Sequence, residues 1–210
     1  MTFEYCRLRV RSRDKEKFFR LIVPFIHKSM RYKLPNPNDP NFGYETLGTA
    51  GASDIRNYIR GSVFTITEAG TADSIVAGMK ITSGSYTGKM RCAIYLHSDL
   101  SLVANGVTAE STITLTTTAT FYTFNFTGTK PSLTAATAYI LVVWAAGSAA
   151  GVARLCYNAG DADQGHYQGM LYGISNPFPN PLVPTHDNNQ YSIYCTYTLA
   201  KPLVTHVRIR

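Results

Sequence analysis

The sequence predicts a mainly β protein: an antiparallel β-sandwich of about eight to nine strands, preceded by a small basic strand–helix arm. Charge is the first sign of this division. Residues 1–34 hold ten Lys/Arg against three acids, and residues 35–210 hold ten of each, so the net charge of +7 belongs to the arm. The second sign is punctuation. From Gly43 to about Thr198, short runs of alternating apolar residues are broken by Gly, Asn, Asp and Thr, with no helical period among them. At 45% hydrophobic and 16% charged, the 210 residues can fill a core and are too weakly charged for disorder.

In the arm, Tyr5, Arg7, Arg9, Arg11 and Arg13 alternate with Cys6, Leu8 and Val10, which predicts a strand with one cationic and one apolar face. Ser12 suits a helix N-cap, and Asp14 and Glu16 then fall in the first turn, where negative charge favours the helix dipole. Phe18, Phe19, Leu21, Ile22 and Phe25 recur at helical spacing until Pro24 ends or kinks the helix. This stretch, continuing through Pro24-Phe-Ile-His-Lys-Ser-Met-Arg-Tyr-Lys-Leu34, resembles the C-terminal end of LAGLIDADG homing endonucleases over about a sixth of the chain. The resemblance implies DNA contact through Arg7, Arg9, Arg11 and Arg13, laid along phosphates or base edges. The helices that carry that family's catalytic carboxylates have no counterpart in the sequence, so nuclease activity is not expected. A solvated basic face over the main domain, a gene-fusion remnant and assembly with an acidic partner fit the same residues.

Leu34-Pro-Asn-Pro-Asn-Asp-Pro-Asn-Phe42 is an extended spacer, since each proline fixes its own φ and restricts its predecessor; the linker is placed at 35–42. The sandwich is then expected over 43–198, with strands at Gly61–Thr67, Ser74–Ile81, Lys89–His97, Ser111–Leu115, Phe121–Phe126, Ala138–Ala145, Ala153–Tyr157, Gln168–Tyr172 and Tyr191–Leu199. Glu68-Ala-Gly-Thr, Thr82-Ser-Gly-Ser, Ala104-Asn-Gly-Val and Thr134-Ala-Ala-Thr read as the connections. Such a series suits a jelly roll. Of the four cysteines, Cys92 shares strand parity with Met90 and Ile94, and Cys195 with Ile193. Buried thiols are expected, with a Cys92–Cys156 or Cys156–Cys195 bridge left open for an extracellular protein.

The runs at 61–75, 89–95 and 133–145 resemble jelly-roll modules of phage and viral structural proteins, microbial surface proteins and some carbohydrate-binding modules. The resemblance covers about three-quarters of the chain. The resemblance implies a fold and no particular ligand.

Within that part, Asp161-Ala-Asp163-Gln-Gly-His166 is the densest polar cluster. Asp161 and Asp163 are candidate Ca²⁺ ligands, and His166 reads as a loop or rim residue. Tyr167 and Tyr172 flank the cluster as a candidate platform for a sugar ring, whereas Trp144 reads as core. The five histidines are scattered and no serine stands in a nucleophile-elbow pattern, so no catalytic residue is assigned and an enzyme is not expected.

Beyond Lys201-Pro202, residues Leu203–Arg210 alternate again, with His206, Arg208 and Arg210 on one face: an edge strand able to pair with Tyr5–Arg11 or with a neighbouring subunit. The first residues lack the apolar core of a signal peptide, and no apolar run approaches the roughly 20 residues of a membrane span, so membrane insertion is not expected. Three functions remain: a structural or adhesive subunit of a virion, tail or surface appendage that self-associates; a carbohydrate-binding module; and a nucleic-acid contact through the arm.

Overall fold

In a computed structural model of the protein, residues 40–147, 151–173 and 177–200 are described, all within the unit Asp39–Arg210. The expected strand–helix arm, with Arg7, Arg9, Arg11 and Arg13, and the tail strand past Lys201 lie outside the described residues.

The described residues form strands and no helix. In chain order these are β1 (Asn41–Gly43), β2 (Gly51–Asp54), β3 (Tyr58–Ile66), β4 (Gly70–Lys80), β5 (Tyr86–Leu96), β6 (Leu102–Val107), β7 (Ser111–Leu115), β8 (Thr120–Asn125), β9 (Ser132–Leu133), β10 (Thr137–Ala145), β11 (Arg154–Ala159), β12 (Gly165–Gly169), β13 (Thr185–Asp187), β14 (Asn189–Tyr191) and β15 (Ile193–Leu199). An eight-stranded sheet runs β1-β15-β4-β11-β14, with β2 on β11 and both β8 and β9 on β4. A seven-stranded sheet runs β13-β12-β3-β10-β5-β6, with β7 on β5. The strand pairs within both sheets are antiparallel.

Nine of these strands overlap those the sequence predicts. The count of eight to nine is nevertheless too low, because β1, β2, β6, β9, β13 and β14 add short strands to the long ones. Ala104-Asn-Gly-Val lies inside β6 and is not a connection. Asn105 takes a left-handed φ of 59°, and the β5/β6 register shifts between Ala93 and Tyr95, so the chain bulges and stays paired. β12 begins three residues before the expected Gln168. The linker is also shorter than 35–42, for Asn41 pairs with Thr196 and Phe42 packs on Tyr139 and Tyr197. Cys92, Cys156 and Cys195 are buried free thiols, so neither bridge forms.

β10 explains the architecture. Its alternate residues Tyr139, Leu141, Val143 and Ala145 join the core between the sheets, with Ile75, Met79, Phe124, Leu155 and Ile193 opposite. Its other residues, Ile140, Val142 and Trp144, face outward and are equally buried, in a second core with Ile59, Ala93 and Tyr95. A strand apolar on both faces needs two covers. The second cover is a strap, described at residues 170–173 and 177–184, which places Phe178 and Leu182 on that outer face. Hydrogen bonds hold it down, these four among them. The Trp144 indole N–H donates to Met170 O at 2.9 Å and the Tyr95 hydroxyl to Pro179 O at 2.8 Å. Leu182 N–H donates to Leu100 O at 2.9 Å, and Leu102 N–H to Asn180 Oδ1 at 2.9 Å. Each fully buried apolar side chain in such a core contributes roughly 1.5–3 kcal/mol.

Candidate functional site

The polar cluster forms the β11–β12 turn. Asp161 N–H donates to Gln164 Oε1 at 3.0 Å, Asp163 N–H donates to Asn188 Oδ1 at 3.1 Å, and Asp163 closes the turn in the left-handed region at φ 57°. Both carboxylates are exposed. The main-chain oxygen of Gln164 already accepts Val63 N–H at 3.0 Å and faces His166 Nδ1 at 3.2 Å. Among the described residues, no group of three or more His, Cys, Asp or Glu side chains is placed to hold a metal ion. Asp161 and Asp163 would thus supply two oxygens of a Ca²⁺ shell, with the nearest amide oxygens engaged elsewhere. A shallow cleft of about 310 Å³ lies beside the turn, lined by Val63, Phe64, Thr65, Asp161, Ala162 and Gln164.

Tyr167 and Tyr172 are not brought together. Tyr167 stands opposite Arg60 in the β12/β3 ladder, and the Arg60 guanidinium lies 4.4 Å from its ring centre. Arg60 also lies 5.6 Å from the Tyr191 ring and 5.8 Å from the Tyr58 ring. Its Nη1 donates to the Tyr191 hydroxyl at 2.6 Å and to Asp187 Oδ2 at 3.2 Å, and the Tyr191 hydroxyl donates to Asp187 Oδ2 at 2.8 Å. Burial pushes the Tyr191 phenol above its ordinary range, which keeps it protonated as a donor.

Tyr172 belongs to the second core, edge-on to Trp144 at 4.9 Å. The Arg91 guanidinium sits 5.1 Å from the Tyr172 ring and 5.6 Å from those of Trp144 and Phe178. The Tyr172 hydroxyl donates to Glu110 Oε2 at 2.8 Å, while Lys89 Nζ pairs with Glu110 Oε1 at 2.7 Å. The Lys89 hydrogen bond holds the Glu110 carboxyl below the usual range against the opposing effect of burial. One sheet therefore carries an arginine among aromatic rings on each face. Neither arginine was singled out by the sequence, because each box joins residues tens of positions apart.

The three histidines among the described residues come together, and His166 is not a rim residue. It lies in β12 with 1% of its surface exposed. Its ring is edge-on to His186 at 4.6 Å and to His97 at 5.6 Å. Sequence reasoning missed this stack because the three rings come from β12, β13 and the turn after β5.

The two ends of the described sandwich also meet. β1 lies on β15, Tyr197 N–H donates to Pro40 O at 3.1 Å, and Ala200 N–H donates to Ala69 O at 3.0 Å. Beside this corner is a cleft of about 430 Å³ lined by Thr67, Glu68, Ala69, Ala135, Leu199 and Ala200.

No family model matches the chain, and no curated protein matches it in sequence. The chemistry is thus read from the residues alone. Arg60, Asp187 and Tyr191 satisfy one another, as do Lys89, Glu110 and Tyr172, and both sets tie distant strands together.

Proposed function

We propose that the protein is a non-enzymatic structural or adhesive subunit with a jelly-roll sandwich, of the virion, tail or surface-appendage type, which assembles through its two ends. The observation that carries this reading is the shared corner: Pro40 and Tyr197 are hydrogen-bonded, so the chain enters and leaves the sandwich at one edge of the eight-stranded sheet. The basic segment before Pro40 and the alternating segment after Ala200 therefore start from neighbouring points, beside the three-residue edge strand β1. A short edge strand with two flanking segments is a site where another chain can add a strand. The crossing of the chain between sheets supports the jelly-roll topology, since β3, β5, β10 and β12 lie in one sheet and β4, β8, β11 and β15 in the other, with the β5–β6–β7 run staying in the first.

Light scattering on the eluting full chain and on residues 40–200 tests the proposal. The full chain is expected to assemble and the shorter one to run as a monomer. Monomers in both cases would overturn it.

One observation favours a carbohydrate-binding reading. Tyr58, 39% exposed, shares Arg60 with Tyr167 across the β3/β12 pair of the seven-stranded sheet. Glycan binding lost in Tyr58→Ala would support it, and a Ca²⁺ requirement for that binding would bring in Asp161 and Asp163. DNA binding by the full chain that weakens steeply with salt and vanishes in residues 40–200 would instead favour nucleic-acid contact through the arm.

A further inference from the structure

The seven-stranded sheet leaves part of one strand open. β12 pairs with β3 from Tyr58 to Ser62, and Val63 N–H still donates to Gln164 O at 3.0 Å. There β12 gives way to the turn that holds Asp161 and Asp163. β3 runs on through Phe64, Thr65 and Ile66, which pair on their other side with Tyr139, Ala138 and Thr137 of β10. Among the described residues no strand pairs with these three where β12 has ended. Main-chain groups alternate sides along a strand, so Thr65 N–H and C=O point the same way as Val63 N–H, to the open side.

The cleft of about 310 Å³ lies at this place. It touches Val63, Phe64 and Thr65 in succession. Consecutive side chains of a strand point to opposite faces, so a cavity touching all three lies against the strand's edge. Val63 and Phe64, both half-buried, give it an apolar wall, and Asp161, Ala162 and Gln164 stand across from them. Exposed carboxylates flank the edge: Asp161 and Asp163 in the turn before β12, and Glu68 in the turn after β3.

An open edge takes an extended strand, and its surroundings select which one. Beyond Ala200, Leu203, Thr205, Val207 and Ile209 alternate with Val204, His206, Arg208 and Arg210, and residues 201–210 hold three Lys/Arg and no acid. Such a segment offers main-chain partners to Thr65, an apolar side chain to the cleft and cations to the carboxylates. We propose that the open edge of β3, Phe64–Ile66, is the acceptor for the C-terminal segment Leu203–Arg210 of a second copy. This rests on the assembly reading above and names its receiving site. Each copy then gives one strand and receives another, which links copies into a reciprocal pair, a ring or an open chain.

Two full-length variants separate giving from receiving. Thr65→Pro removes the outward N–H and blocks the edge, while Phe64 and Ile66 keep their bonds to β10. Val207→Pro with Arg208→Pro breaks the donated strand whichever of its sides meets β3. By light scattering on the eluting protein, the full chain is expected to assemble and each variant to run as a monomer. An equal mixture of the two should give a dimer of one each, since one still gives and the other still receives. Assembly that persists in Thr65→Pro would overturn the proposal and leave the assembly reading standing, whereas a monomeric full chain would overturn both. Monomeric variants whose mixture forms no dimer also reject it. Should Thr65→Pro fail to fold by circular dichroism, Asp161→Lys with Asp163→Asn decides, because the turn is held through the main-chain N–H groups of both residues. Assembly should then weaken about tenfold, and unchanged assembly rejects the acceptor edge.

Discussion

On one face of β10, Tyr139, Leu141 and Val143 meet a second sheet; on the other, Ile140, Val142 and Trp144 meet an irregular strap. The two covers differ in kind. The sheet-to-sheet core draws on strands of both sheets and is apolar nearly throughout, closed by many residues that each contact several others. The second core is smaller, carries Arg91 among its rings, and is roofed by an irregular segment tied down by hydrogen bonds that include those of Trp144, Tyr95, Leu182 and Leu102. Local opening follows such differences, because an irregular cover can detach while the ladder beneath it stays paired. The inner face is thus expected to be lost only on global unfolding, and the outer cover to loosen first.

The largest expected effect abolishes the distinction. Gly61 lies in the strand that serves both faces, and a β-carbon there would run into the carbonyl oxygen of Leu141. Gly61→Ala should cost about 3 kcal/mol and bring the Trp144 emission and circular-dichroism transitions down together in urea. Leu141→Ala, confined to the inner face, should cost about 3 kcal/mol, again with the two probes coincident. Leu182→Ala should cost about 2 kcal/mol and separate them, with Trp144 responding at lower urea than the sheets do. Coincident transitions in that variant would break the comparison. Tyr95→Phe removes the hydroxyl that donates to Pro179 and should weaken strap closure by about 1 kcal/mol, with the sheet transition unmoved. The smallest effect belongs to Lys130→Ala. Its 2.6 Å pair with Asp73 is at the surface, where removal should cost under about 1 kcal/mol and less in high salt.

These faces were only half legible in the sequence. The run from Ala138 to Ala145 marks a buried strand, and Trp144 reads correctly as core, but an unbroken apolar run does not say that two separate covers exist. The strap is rich in proline and carries little periodicity, and several of its bonds to the sheet, such as those at Met170 O and Pro179 O, use main-chain groups that leave no trace in residue type. β12 was read too late because the residue it buries is His166, which does not count as apolar in a search for alternation. The short strands β1, β9, β13 and β14, of two or three residues each, cannot display a period and arise by pairing with longer neighbours. The paired carboxylates at Asp161 and Asp163 were visible, while the arginine boxes were not. Arg60 finds Asp187 across 127 positions and Arg91 reaches Gly173 across 82, separations at which local pattern carries no information.

The hydrogen bond between Pro40 and Tyr197 also bears on how freely the chain's order could be redrawn. A bridge of a few residues from Ala200 back to Pro40 would make the sandwich nearly a ring, from which new ends could be cut at an exposed turn such as that at Gly128, where an added β-carbon meets nothing within 4 Å. Such a circular permutant would keep the ladders intact and move the point of attachment to a different part of the surface.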